Sequence, residues 1–210
     1  MKFQDLGLIP YMKAWKLQEG LREKRIQNLI EDTVLLLEHP PVFTMGKRDT
    51  GEDFLSTSEM IAHDGIEVMK SNRGGRVTYH GPGQLVGYFI CSLRSVHKSV
   101  AEFVVAVEEI CKRTVEAYGI QATRDPDHPG IWVGNAKIAA VGLHFSRDVS
   151  LHGFALNVAP NLMHYRHIVP CGIHDCGVTS MEALLGKVPE MQEVKTVVQK
   201  KAVELFSLLK

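Results

Sequence analysis

Residues 131–141, IWVGNAKIAAV, place two apolar runs on either side of Gly134-Asn135. A glycine-containing two-residue step between strand-forming segments predicts a β-hairpin, because such steps supply the backbone twist that paired strands need. Lys137 then stands near the start of the returning strand, where it interrupts an otherwise small and apolar run.

Strand-like and helix-like segments alternate on both sides of this hairpin. On the N-terminal side, Ser99 and Glu102 form a capping-box pair. Phe103, Val104, Val107, Ile110, Cys111 and Val115 follow as one apolar stripe that stops before Gly119, which predicts a helix. Thr33–Leu37 is a continuous apolar run of strand length ended by Pro40 and Pro41, so a buried central strand is expected there. Pro10 opens an amphipathic helix with Tyr11, Ala14, Trp15 and Leu21 at helical spacing. The polar stretch 47–59 reads as an exposed loop. On the C-terminal side, Thr179 with Glu182 predicts a short capped helix through Leu185, and Val194, Val197, Val198 and Leu205 a last helix over the sheet. Interspersed elements without internal repeats predict an α+β or α/β fold, one domain over residues 1–210 around a mixed sheet flanked by helices.

Composition narrows the function. The chain has 210 residues, 45% hydrophobic and 23% charged, and its 24 Lys plus Arg balance 24 Asp plus Glu. No broad basic field recruits nucleic acid or anionic membrane. The N-terminus lacks an apolar core of signal-peptide length and no window approaches a membrane span, so a soluble, cytoplasmic protein is expected. Four cysteines, at 91, 111, 171 and 176, are too few and too irregularly spaced for a disulfide framework. Cys91 and Cys111 read as small buried hydrophobes.

Three segments resist explanation by packing alone. RGGRVTYHGPGQLVGY, residues 73–88, carries five glycines, a proline and an imidazole. Such density permits positive φ and close backbone approach by a ligand, and it exposes N–H donors for an oxyanion or phosphate; two tight turns between strands would also account for it. In GNAKIAAVGLHFSR, residues 134–147, Lys137 is either solvated on the outer face or turned inward, where burial favours the neutral amine. HYRHIVPCGIHDCGVTSMEALL, residues 164–185, places Cys171 between Pro170 and Gly172, in a turn that exposes a nucleophile well. Metal binding by His164, His167, Cys171, His174 and Cys176 is the alternative, although their spacing matches no standard zinc pattern.

Taken together, LLLEHPPVFTMGKR at 35–48, RGGRVTYHGPGQLVGY at 73–88, KIAAVG with LHGFALNV at 137–158, and IVPCGI with VTSM at 168–181 closely resemble the bacterial octanoyl transferases of the lipoate pathway. The resemblance implies a single domain similar to the biotin and lipoate protein ligases. It implies a catalytic pair at Cys171 and Lys137, and an acyl pocket at Arg73, Gly74, Gly75, His80, Gly142, His152, Gly153 and Ala155. It further implies octanoyl-acyl carrier protein as donor. The implied acceptors are the lipoyl domains of 2-oxoacid dehydrogenase E2 subunits and the glycine cleavage H protein, with no cofactor and no metal. A ligase on the same fold would need ATP but no cysteine. An amidotransferase moving octanoyl between lipoyl domains would share the cysteine chemistry, and a non-enzymatic Cys/His scaffold would leave the glycine block and Lys137 unexplained.

Overall fold

The computed structural model describes residues 1–125, 127–169 and 176–207, and the Cys171 turn lies outside them. Its main sheet is mixed. From edge to edge it runs β1 (Lys2–Leu8), β2 (Thr33–Glu38), β6 (Gln84–Ile90), β10 (Val149–Asn157), β9 (Ala136–Ser146), β8 (Ile131–Val133) and β7 (Thr123–Arg124), and β11 (Gly177–Val178) pairs with β9. A second, three-stranded sheet sets β3 (Val42–Met45) between β4 (Glu67–Lys70), parallel to it, and β5 (Thr78–His80), antiparallel.

Helices cover both faces of the main sheet. On one side lies α1 (Tyr11–Ile26), which begins after Pro10, whose missing N–H costs nothing at a helix start. Its buried Ala14 packs with Leu35, Val86, Ile90 and Leu151. On the other side α3 (Val100–Glu116) and α5 (Met191–Ser207) cover a larger core, in which Phe89, Phe103, Ile110, Phe154 and Val198 meet. The capping box at Ser99 forms as the sequence predicts: its hydroxyl accepts from the Glu102 N–H, and the Glu102 carboxylate accepts from the Ser99 N–H at 2.8 Å. Two short helices, α2 (Ser58–His63) and α4 (Met181–Leu185), close the ends.

Because both faces are covered, β10 is buried along its whole length and occupies the middle of the sheet. The Thr33–Leu37 run is buried too, but it lies second from the edge because β1 pairs alongside it in parallel. The expected hairpin is β8–β9, turning through Gly134-Asn135. Cys91 and Cys111 are buried, and burial pushes both thiols well above their usual range. Ser180, one residue beyond Thr179, caps α4 by accepting the Ala183 N–H at 3.1 Å. The 47–59 stretch is mostly exposed, but Asp53 within it is 3% exposed.

Candidate active site

Two adjoining hollows open where the small sheet meets β9 and β10. The inner one is a slot of about 50 Å³ and the outer a cleft of about 560 Å³, with Gly74, Gly75, Arg76, Val141 and Gly142 forming the wall they share.

All eight pocket residues expected from the sequence line the inner slot: Arg73, Gly74, Gly75, His80, Gly142, His152, Gly153 and Ala155. Lys137 lines the outer cleft. Glycine is required at two of these positions for different reasons. Gly75 has φ +88°, a left-handed conformation that side chains rarely adopt, while a Cβ on Gly153 would sit 2.1 Å from the Gly87 carbonyl oxygen.

The slot is held by a buried polar network. The Arg73 guanidinium donates from Nε to the Thr44 hydroxyl at 3.1 Å, from Nη1 to the Gly74 carbonyl at 2.9 Å, and from Nη2 to the Thr44 carbonyl. Thr44 in turn donates to Nε2 of His80 at 3.3 Å, and Nδ1–H of His80 donates to Oε1 of Gln84 at 2.7 Å. Gln84 passes the chain to Asn157 at 2.9 Å, Asn157 to the Thr179 carbonyl at 3.0 Å, and the Thr179 N–H to the Lys137 carbonyl at 3.0 Å. The glycine block and the lysine strand are thereby one hydrogen-bonded unit.

Sequence reasoning missed several residues of this recess. Tyr11 at the start of α1 and Tyr88 of β6 line it directly. The Tyr88 hydroxyl donates to Nε2 of His39 at 2.7 Å, and Nδ1–H of His39 donates to the Ile9 carbonyl at 2.7 Å. Tyr11 stacks on the His80 ring at 9° and its hydroxyl donates to Ser71 at 2.8 Å. His39 lay in a block quoted from the sequence, but Tyr11 looked like one more residue of an apolar helix face.

Burial keeps these imidazoles neutral, since an uncompensated cation is expensive away from water. Desolvation lowers His39 to about 4 and His152 to about 3, with Arg73 nearby adding to the second shift, and holds His80 well below its ordinary range. His152 has φ +61° inside a strand. Its ring packs against Trp15 and Tyr88 on the α1 side of the sheet, the same side as its neighbour Leu151, so the backbone twist re-aims it into the slot. Nε2–H of His152 donates to Asn72 at 2.7 Å. That leaves Nδ1 as an acceptor with no hydrogen-bond partner among the described residues.

In the cleft, Lys137 is 6% exposed, so the inward placement is the one adopted. Its Nζ donates to the Pro129 carbonyl at 3.1 Å and stands 4.6 Å above the Trp132 ring. Cys171, expected to act with it, lies outside the described residues, as does His174. The ring nitrogens of His164 meet the Tyr79 hydroxyl and Asn161, and those of His167 meet Ser56 and Asp64. The Cys176 thiol donates to Asn135 at 3.4 Å. No cluster of three or more His, Cys, Asp or Glu suited to a metal ion occurs among the described residues, nor does a helix long and apolar enough to cross a membrane.

With the mixed sheet, its covering helices and this glycine-lined site in place, residues 10–203 match the lipoyl protein ligase A/B catalytic domain. The chain belongs to that family. The octanoyltransferase of Alkaliphilus metalliredigens is 49% identical over 183 residues, covering 87% of this chain and 84% of its own length. The chain is accordingly an acyltransferase of the octanoyl-transferring branch. Its fold is shared with a bipartite lipoate protein ligase from Thermoplasma acidophilum, with a TM-score of 0.72 at 14% identity over 98% of this chain and 83% of that one. It is shared also with the biotin protein ligase of Aquifex aeolicus, with a TM-score of 0.61 at 17% identity over 98% and 70%.

Proposed function

We propose that this enzyme takes octanoyl from the phosphopantetheine thioester of acyl carrier protein and delivers it to a lysine of a lipoyl domain. Cys171 is the nucleophile and Lys137 the proton-transfer group. The acceptors on this reading are the lipoyl domains of 2-oxoacid dehydrogenase E2 subunits and the glycine cleavage H protein, in the cytoplasm. The observation that carries it is that the slot and the cleft of Lys137 share Gly74 and Gly142 in their linings, so an acyl chain held along these glycines would have that amine in the adjoining cleft.

The chemistry is balanced without ATP or metal. The Cys171 thiol gives its proton to the Lys137 amine and its sulfur forms a bond to the acyl carbon. The pantetheine sulfur leaves and recovers the proton. In the second half the acceptor lysine, as a neutral amine, attacks the octanoyl-Cys171 thioester; Lys137 takes a proton from the forming amide and returns it to the departing cysteine sulfur. Exchange of one thioester for another is nearly isoenergetic, and aminolysis to the amide is downhill. Backbone N–H groups of the glycine block are suited to hold the oxyanion of each tetrahedral intermediate.

Intact-protein mass spectrometry tests this directly. Wild-type enzyme mixed with octanoyl-acyl carrier protein without ATP should gain one octanoyl group, lose it on addition of an apo lipoyl domain, and gain none as Cys171→Ser. Acylation of the lipoyl domain only from free octanoate with ATP would instead make the enzyme a ligase. Discharge by one acylated lipoyl domain onto another, with no reaction from the carrier protein, would make it an amidotransferase.

A further inference from the structure

We infer that Glu108 is the positioning residue of Lys137: it fixes the turn on which the amine rests. This deepens the transfer chemistry proposed above and rests on it.

Glu108 lies on α3, within the stripe that packs on the sheet, and is 6% exposed. Carboxylates are rarely buried without a partner, and the surroundings show what this one is for. One oxygen accepts the Gly130 N–H at 2.8 Å. Gly130 directly follows Pro129, whose carbonyl accepts from the Lys137 Nζ. A Cβ on Gly130 would come within 3.4 Å of the Lys137 side chain. Two hydrogen bonds, joined through the Pro129–Gly130 peptide, therefore link the carboxylate to the amine by way of the turn.

The electrostatics run the same way. The other Glu108 oxygen is 3.9 Å from the Arg124 guanidinium on β7. Burial raises the affinity of Glu108 for its proton, and the Gly130 N–H, Arg124 and Lys137 each oppose that rise. On its own helix Lys112 pairs with Glu116 along the surface, while Glu109 pairs with Arg113 through one oxygen and stands 4.0 Å from the Arg124 guanidinium through the other. Asp127, His128, Arg48 and Arg76 line the cleft shared with Lys137. Of these groups only Glu108 combines burial, a negative charge and a hydrogen bond to the turn that holds the amine.

Glu108→Ala removes the acceptor for the Gly130 N–H, whereas Glu108→Gln keeps one. Two quantities are measured at one fixed pH: single-turnover octanoyl transfer as a function of donor concentration, and the rate of reductive methylation of Lys137, read by peptide mass spectrometry. Glu108→Ala should lower the maximal transfer rate by about tenfold or more with little change in KM, and should change the methylation rate of Lys137. Glu108→Gln should restore both to within a few-fold of wild type, and Glu116→Gln, which pairs with Lys112 along the same helix, should leave both in place. If Glu108→Ala does not fold, Glu108→Asp, which withdraws the carboxylate from Gly130, is read in the same way. A wild-type maximal rate together with a wild-type methylation rate in the folded variant overturns the positioning role. A changed methylation rate with an unchanged transfer rate upholds the inference about Glu108 and removes Lys137 from the proposed proton transfer.

Discussion

Arg76 and Asp53 form a two-point ion pair, Nε to Oδ2 at 2.6 Å and Nη2 to Oδ1 at 2.7 Å. This pair ties the wall of the slot to the approach of the Cys171 turn, because the Asp53 carbonyl also accepts the Val169 N–H at 2.7 Å and the adjacent Phe54 bridges Ile168. Removing Arg76 strands a carboxylate that is itself 3% exposed. About a third of the Arg76 side chain meets solvent, so Arg76→Ala should destabilise the fold by less than breaking a fully buried pair would. Urea denaturation checks this. Arg76→Ala/Asp53→Ala should recover part of the loss, since the double variant leaves no stranded charge; a double variant as unstable as the sum of the single ones would refute the coupling.

Lys137→Met should reduce octanoyl transfer by roughly 10²- to 10⁴-fold, the usual contribution of a positioned proton-transfer group. Folding should survive, because a methionine replaces the aliphatic stem against Trp132 with similar volume. Single-turnover transfer together with the melting temperature separates the two effects. Near-normal transfer by a folded Lys137→Met enzyme would eliminate the proposed role.

Acid should destabilise this fold through its neutral imidazoles. The folded proton affinities of His39 and His152 lie below the unfolded value, with apparent pKa values of about 4 and about 3. The unfolded chain therefore binds more protons than the native one below pH 6.5, and stability rises with pH through that window. It is fully present above about pH 6.5 and is lost on acidification. For His39 alone the loss by pH 4 is about 3 kcal/mol. Melting temperatures recorded from pH 7.5 to 4.5 should fall steeply below 6.5 in the wild type and less steeply in His39→Gln, which can offer similar hydrogen bonds without titrating. Parallel curves would assign the acid loss to other groups.

What the sequence made legible follows from how each residue is used. Lys137 was visible because a charge broke an apolar strand, and α3 because its capping box and its stripe agree. The eight slot residues came through the likeness of the glycine blocks to known relatives, and they converge in space although they lie on β9, β10, β5 and the loop before it. β1 was illegible: its exposed, unpatterned residues form a strand only because the long buried β2 offers them a partner. Tyr11 and Glu108 hid inside helical stripes, where an aromatic reads as core and a carboxylate as solvated surface. Only the three-dimensional contacts reveal that Tyr11 faces the recess and that Glu108 reaches the Gly130 turn.

The slot itself can be tested by two glycines that differ in their room. A Cβ on Gly153 would strike the Gly87 carbonyl at 2.1 Å, backbone against backbone across β10 and β6, so Gly153→Ala should misfold or lose several kcal/mol. A Cβ on Gly142 would meet the Gly74 carbonyl at 3.1 Å and the Arg73 side chain at 3.4 Å, contacts relieved by shifts of a few tenths of an ångström. Gly142→Ala should therefore fold and narrow the space at the wall that cleft and slot share. If the acyl chain threads that space, each methylene it can no longer bury forfeits about 0.8 kcal/mol, roughly a fourfold loss. With two methylenes between them, the variant should then favour hexanoyl over octanoyl thioesters by about fifteenfold relative to wild type, in competition assays with both donors present. An unchanged preference in a folded Gly142→Ala enzyme would mean that the chain does not pass between Gly74 and Gly142, and the acyl site would have to be sought in the outer cleft alone.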